Sequence, residues 1–282
     1  MGKSIWVVLV MAMSKPNCWA QCPFPTSLTY WEIHDADSVI GLSDGNTIAS
    51  WPDESGNNRT ITQSTEANKA KWYSNIVATH AVARFDSSDR YPVSAPTSGN
   101  NELWVVIKAD ADPAPNAGRG GSWHFEPITG GAESASYPYT NGLIYEDFGW
   151  GTRYSFDPSV ALTEWRLYVV REGNLEGATT YEIRVDTTVG FSGSDSQGGY
   201  ETAPGASCTF GKSEQNLYLD AEVAWWCILD AVTTQVQRDS LWSYLSCRYD
   251  LAFEPSLGCC TDATEVLRWP VRRRGEARRG ER

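Results

Sequence analysis

Short runs in this chain alternate apolar and polar residues with a period of two, and that pattern limits the possible folds more than any other feature. In Leu103–Lys108 the apolar positions are Leu103, Val105 and Ile107. In Trp165–Arg171 they are Trp165, Leu167 and Val169. In Tyr181–Asp186, Tyr181, Ile183 and Val185 alternate with Glu182, Arg184 and Asp186, and Leu219, Ala221, Val223, Trp225, Cys227 and Leu229 form the longest such series. Successive side chains of a strand point to opposite faces, so this alternation predicts antiparallel sheets with one covered and one wet face. Clusters of Gly, Asn, Asp, Ser and Pro divide the runs, as turns do in all-β folds. The 13 Trp and 13 Tyr suit pleated, half-buried surfaces. The expected fold is an all-β antiparallel sandwich in one domain. One helix is expected near the end. Thr234 and Gln237 have capping-box spacing, and Leu241, Trp242, Leu245 and Tyr249 follow at three- and four-residue intervals.

The ends of the chain read differently. Residues 1–20 are expected to be a signal peptide: Lys3 supplies a charge, Ile5 to Met13 is apolar, and Ala20 precedes the cut. The apolar run is far shorter than a membrane span needs, so no span is expected. Cleavage would remove Cys18 and leave Cys22, Cys208, Cys227, Cys247, Cys259 and Cys260, an even number that fits disulfides in an oxidising compartment. Residues 21–260 form the expected domain, and 261–282 a basic, disordered tail. The last eleven residues carry six Arg and two Glu, a net +4, which leaves −16 for the rest of a chain of net charge −12. So acidic a body repels nucleic acid and anionic lipid, and neither is an expected partner. Asn58-Arg59-Thr60 is a glycosylation sequon.

The order of several short motifs resembles the concanavalin A-like lectin/glucanase superfamily, in its laminin-G-like branch. The segment Trp51-Pro52-Asp53-Glu54-Ser55-Gly56-Asn57 follows Asp35-Ala36-Asp37-Ser38-Val39 and precedes Ala83-Arg84-Phe85-Asp86. Near the end come Phe210-Gly211-Lys212, Leu219-Asp220-Ala221-Glu222-Val223 and Tyr244-Leu245-Ser246-Cys247-Arg248-Tyr249. The resemblance runs from about Leu28 to Leu251. It implies a jelly-roll sandwich with a short closing helix. Read as structure, Trp51 buries a ring between the sheets, Asp53 and Ser55 bond local backbone, and Gly56 supplies a positive φ.

Catalytic apparatus is hard to find. Retaining glycan hydrolysis needs two carboxyl groups about 5–5.5 Å apart. Asp220 and Glu222 share a strand face at i and i+2 and are the one candidate pair in a clear strand. The adjacent Glu146 and Asp147 would point to opposite faces. His34, His80 and His124 are scattered, and no nucleophile elbow, phosphate loop or zinc motif occurs. Binding has more to recommend it. Sugar rings stack on aromatic faces while polar neighbours bond their hydroxyls. Trp123, Tyr139, Asn141, Trp150, Arg153 and Tyr154 lie in a stretch that also holds Tyr137 and Tyr145, and these make a candidate glycan surface unless the rings belong to the core. The resemblance also brings calcium into view, with Asp110 and Asp112 as candidate ligands. Three classes of function remain: a non-catalytic extracellular recognition or adhesion module for a glycan or cell-surface protein; a structural or receptor-binding part of a viral or phage particle; and a polysaccharide hydrolase or lyase.

Overall fold

The computed structural model describes residues 24–251 except 87, 95, 97–99, 126–134, 149–152, 176–177 and 195–207, with 174, 175, 178–180 and 194 described by backbone alone. The expected signal peptide and basic tail therefore lie outside the described residues, as do Trp150, Cys18, Cys22, Cys259 and Cys260. The strands are β1 (Tyr30–Asp35), β2 (Ser50–Trp51), β3 (Ile61–Thr62), β4 (Lys71–Val77), β5 (His80–Phe85), β6 (Tyr91–Val93), β7 (Asn101–Ala109) and β8 (Trp123–His124). They continue with β9 (Ile144–Glu146), β10 (Tyr154–Phe156), β11 (Arg166–Leu175), β12 (Ala178–Val185), β13 (Thr188–Ser194), β14 (Cys208–Phe210) and β15 (Ala221–Leu229). One α-helix among the described residues, α1 (Gln235–Tyr249), closes the series.

The architecture is an all-β antiparallel sandwich with one helix. Its main sheet runs β13-β12-β11-β7-β15-β5-β4, and β1 pairs with β15. Three small sheets, β2-β3, β6-β14-β8 and β9-β10, make the second layer. Between the layers lies the larger core. Leu103, Val105 and Ile107 of β7 and Ile183 and Val185 of β12 meet Trp51, Tyr91, Trp123, Ile144 and Phe210 there. The other face of the main sheet is not wet. Trp104, Val106, Leu167, Val169 and Trp225 pack against Leu241, Trp242, Leu245 and Tyr249 of α1. The expectation of one solvated face is thus corrected: the helix covers it. Glu182 and Asp186, expected in water, are buried in ion pairs with Arg171, Arg184 and Arg166.

A second correction concerns β15. One edge of this strand pairs with β7 along its whole length. The other edge is shared, with β5 along Ala221–Val223 and β1 along Trp225–Leu229. The register shifts between Val223 and Trp225. An extra residue reverses every later side chain. Ala221 and Val223 therefore face the larger core, Trp225, Cys227 and Leu229 the helix-side core, and Trp226 and Ile228 return to the first.

The expected helix start is present as a complete capping box, with Thr234 and Gln237 bonding each other's backbone. The Trp51 motif is a local hub. Asp53 accepts from the backbone N–H groups of Ile33, Ser55 and Arg59 and from the Ser55 hydroxyl, and Gly56 has φ +87°. The indole of Trp51 is buried and donates to the Asp35 carbonyl. Cys227 corrects the cysteine expectation. It is a free, fully buried thiol, so the six cysteines left by cleavage do not all pair.

The β4–β5 hairpin stores strain. Ala78 and Thr79 both have positive φ, 45° and 73°, in a turn where Asn-Gly is favoured. A β-branched residue pays most in this region. Thr79→Gly is expected to stabilise the fold by about 1 kcal/mol after allowing for the greater freedom of the unfolded chain. Urea denaturation with an unchanged m-value checks this, and a lower midpoint would refute it.

Candidate functional site

The sequence feature that matters here is the tripeptide Ile144-Tyr145-Glu146. In β9 it alternates in, out, in. Ile144 and Glu146 are buried, and Tyr145 is half-buried on the outer side. Strand β10 sets the frame, with Tyr154 opposite Glu146, Ser155 opposite Tyr145 and Phe156 opposite Ile144.

Inside, Glu146 gathers five hydrogen bonds from four donor groups. The Trp123 indole N–H reaches its two oxygens at 3.1 and 3.0 Å, and the Tyr168 hydroxyl donates at 2.6 Å. The N–H groups of Asp147 and Phe148 follow at 3.1 and 3.0 Å. Complete burial pushes this carboxyl up to about 7 even against the pull of those donors. The network holds β9 against the main sheet and so fixes where Tyr145 projects.

Outside, a small aromatic and polar surface is assembled. Tyr139 meets Tyr145 edge to face, with ring centroids 5.6 Å apart and planes at 86°. The Asn141 amide donates to the Tyr145 hydroxyl at 2.8 Å, while its oxygen accepts from Leu143 N–H at 3.1 Å. The Arg153 guanidinium lies over the Tyr145 ring, 4.6 Å from its centroid. Asn141, Arg153 and Ser155 are exposed. Gly120 closes the base of the surface. A Cβ there would come within 2.9 Å of the Tyr139 ring, so the loop approaches only because the side chain is absent.

The sequence-predicted surface residues thus separate. Tyr139, Asn141 and Arg153 come together, joined by Tyr145. Trp123 does not join them: it is buried, stacked on Phe210 at 5.6 Å and bonded to Glu146, which corrects its placement among surface rings. Its strand is only two residues long and is paired to β14 in the second layer, with the ring turned into the core. Tyr154 shares the side of Glu146, half-buried, and stacks on Phe191 at 4.1 Å. Trp150 lies outside the described residues.

Asp220 and Glu222 are committed elsewhere. Glu222 lies 2.9 Å from Arg84 and 3.5 Å from Lys108, and Asp220 lies 2.9 Å from Arg119. The register explains this, because Glu222 stands opposite Arg84 on one side and Lys108 on the other. Glu222 is matched to two cations and Asp220 to one. Asp110 lies 3.8 Å from Arg84, and Asp112 accepts from Leu162 N–H at 3.1 Å. Among the described residues no group of three or more His, Cys, Asp and Glu is arranged to hold a metal ion.

Sequence reasoning missed one constellation. Arg248, from α1, donates to Asp35 at 2.6 Å and Asp37 at 2.8 Å, and Asp37 also bonds His80. Asp35, Asp37 and Arg248 border a cleft of about 340 Å³ that Phe24, Glu54, Trp225 and Tyr244 also line. The signal was present, since Asp35 and Asp37 open the motif series and Arg248 ends it, but their meeting across 213 residues is a tertiary fact. Arg248 already occupies the cation position between the two carboxylates.

No protein-family model matches the sequence, and neither does any curated protein. Solved structures do share the fold. One is domain 4 of AbnA, a GH43 extracellular arabinanase from Geobacillus stearothermophilus, in complex with arabinotriose. It has a TM-score of 0.51 at 13% identity, over 74% of this chain and 96% of that one. Another is a GH54 α-L-arabinofuranosidase soaked with 4-nitrophenyl α-L-arabinofuranoside, with a TM-score of 0.52 at 11% identity, over 72% of this chain and 51% of that one. A third is the botulinum neurotoxin serotype D binding domain, with a TM-score of 0.52 at 12% identity, over 77% of this chain and 52% of that one. The chain therefore spans about half of the second and third structures. At these identities the likeness is one of fold: an antiparallel β-sandwich.

Proposed function

We propose that this chain is a non-catalytic recognition module of the concanavalin A-like, laminin-G-like kind, acting outside the cytoplasm, and that it binds a glycan. The observation that carries the reading is the outer surface beside β9–β10, where Tyr139 and Asn141 of the preceding turn, Tyr145 of β9 and Arg153 just before β10 present rings and hydrogen-bonding groups together. That is the composition a sugar site needs: an apolar platform with a few placed polar groups. The arabinotriose complex of a domain sharing this fold over nearly its whole length supports the choice of ligand class. The hydrolase reading is not favoured, because Asp220 and Glu222 are each matched to cations. Secretion and the removal of residues 1–20 are part of the proposal, and N-terminal sequencing of the native protein tests them, with a start at Gln21 expected.

The surface itself is tested by two substitutions that differ in kind. Tyr139→Ala should weaken binding to a neutral glycan array at least about fivefold with little change in melting temperature, since one stacked ring is worth about 1–2 kcal/mol. Trp123→Ala should instead cost about 3–5 kcal/mol of stability, because it empties a core site and strips Glu146 of a donor. Binding that survives Tyr139→Ala and Tyr145→Ala alike would remove the proposed surface.

A further inference from the structure

We infer that this surface takes one uncharged sugar ring, not a stretch of chain and not an acidic glycan; the inference rests on the glycan reading above. The aromatic geometry carries the first half. Tyr139 and Tyr145 stand at 86° to each other, so they form a corner and cannot both lie flat along one oligosaccharide. Arg153 already covers a face of Tyr145 at 4.6 Å. One ring is left to stack while the other closes the side. The hydroxyl contacts are equally local. The Asn141 amide uses one N–H on Tyr145 and its oxygen on Leu143, which leaves a second N–H and a lone pair pointing from the same side chain. A sugar hydroxyl both donates and accepts, so it matches that pair, whereas a carboxylate matches only the donor.

Charge carries the second half. Among the described residues of the surface Arg153 is the cation, and its guanidinium is placed on Tyr145. Exposed carboxylates stand in the segments that adjoin the surface. Asp112 lies beside Gly142 in the turn that holds Asn141, and Asp157 follows β10 directly. The whole chain is at −12. A uronate or sulfated sugar would enter against this field, and a neutral ring would not.

The test titrates the full chain, by calorimetry or ligand-observed NMR, with arabino-, xylo- and cello-oligosaccharides of one to five units and with oligogalacturonates of the same lengths. A neutral series should bind, its affinity should change less than about threefold beyond the first unit, and Tyr139→Ala should lower it at least about fivefold. Oligogalacturonates should bind at least about tenfold more weakly at low salt. Equal or tighter binding of the acidic series, or affinity that climbs with every added unit, would overturn the inference and leave the glycan reading standing. Failure of both series to bind would overturn the glycan reading itself, and the inference with it.

Discussion

The Arg248→Ala variant is expected to lose about 3–5 kcal/mol of folding stability, the largest effect of any substitution outside the hydrophobic cores. Arg248 bonds Asp35 and Asp37 and also donates to the hydroxyls of Tyr244 and Tyr249. Asp35 is buried, and burial pushes its carboxyl up to about 6 even with Arg248 in place. Removing the guanidinium leaves that group in the protein with no opposite charge, which costs more than the ion pair was worth. The damage should be shared with Asp37, which is held below the usual carboxylate range by the His80 and Ala81 hydrogen bonds and by Arg248 despite partial burial. Arg248→Lys should recover only part of the loss, because an ammonium cannot reproduce the forked contacts. Equilibrium denaturation of both variants measures this. A loss below about 1 kcal/mol for Arg248→Ala would mean that the clasp does not hold the helix to the sheet.

Stability should also depend on pH in an unusual direction near neutrality. Several buried carboxyls are raised, chiefly by burial, among them Glu146 and Asp89 to about 7 and Asp35 to about 6. The folded form binds these protons more tightly than the unfolded chain, so the stabilisation is complete below the unfolded values near pH 4 and disappears as pH rises through 6 to 7. Glu146 alone accounts for roughly 3 kcal/mol over that window. Asp53 and Glu182 act oppositely. Hydrogen bonds to backbone and to Arg171 and Arg184 hold them below their usual range, so their contribution is lost as pH falls below about 4. The melting temperature should therefore peak near pH 5 and fall towards pH 7.5, and Glu146→Gln should make that fall shallower. A flat profile from pH 5 to 7.5 would show that these carboxyls are ionised throughout.

Much of the framework is legible in the residues because it depends on neighbours in sequence. The Thr234–Gln237 capping box, the Asp53–Ser55 turn and the two-residue period of β7 and β12 are decided within a few positions, and each appears where the sequence places it. What is not legible depends on register. Alternation in Leu219–Leu229 continues through Ala224 on paper, but β15 changes partner there and its faces exchange. The aromatic stretch from Trp123 to Tyr154 looks uniform, yet Trp123 sits in a two-residue strand facing Glu146 while Tyr145 lies one position from that same glutamate and faces out. A difference of one residue in β9 separates core from surface, and only the pairing with β10 decides it.

The irregularity in β15 makes the phase of that strand as constrained as its composition. Were the bulge ironed out with every residue kept in strict alternation, Trp225 would enter the layer interior and Trp226 would turn towards the helix, each into space shaped for the other. Removing Ala224 together with the bulge would leave both rings on their present sides, so the strand tolerates the loss of that residue better than the loss of the irregularity alone.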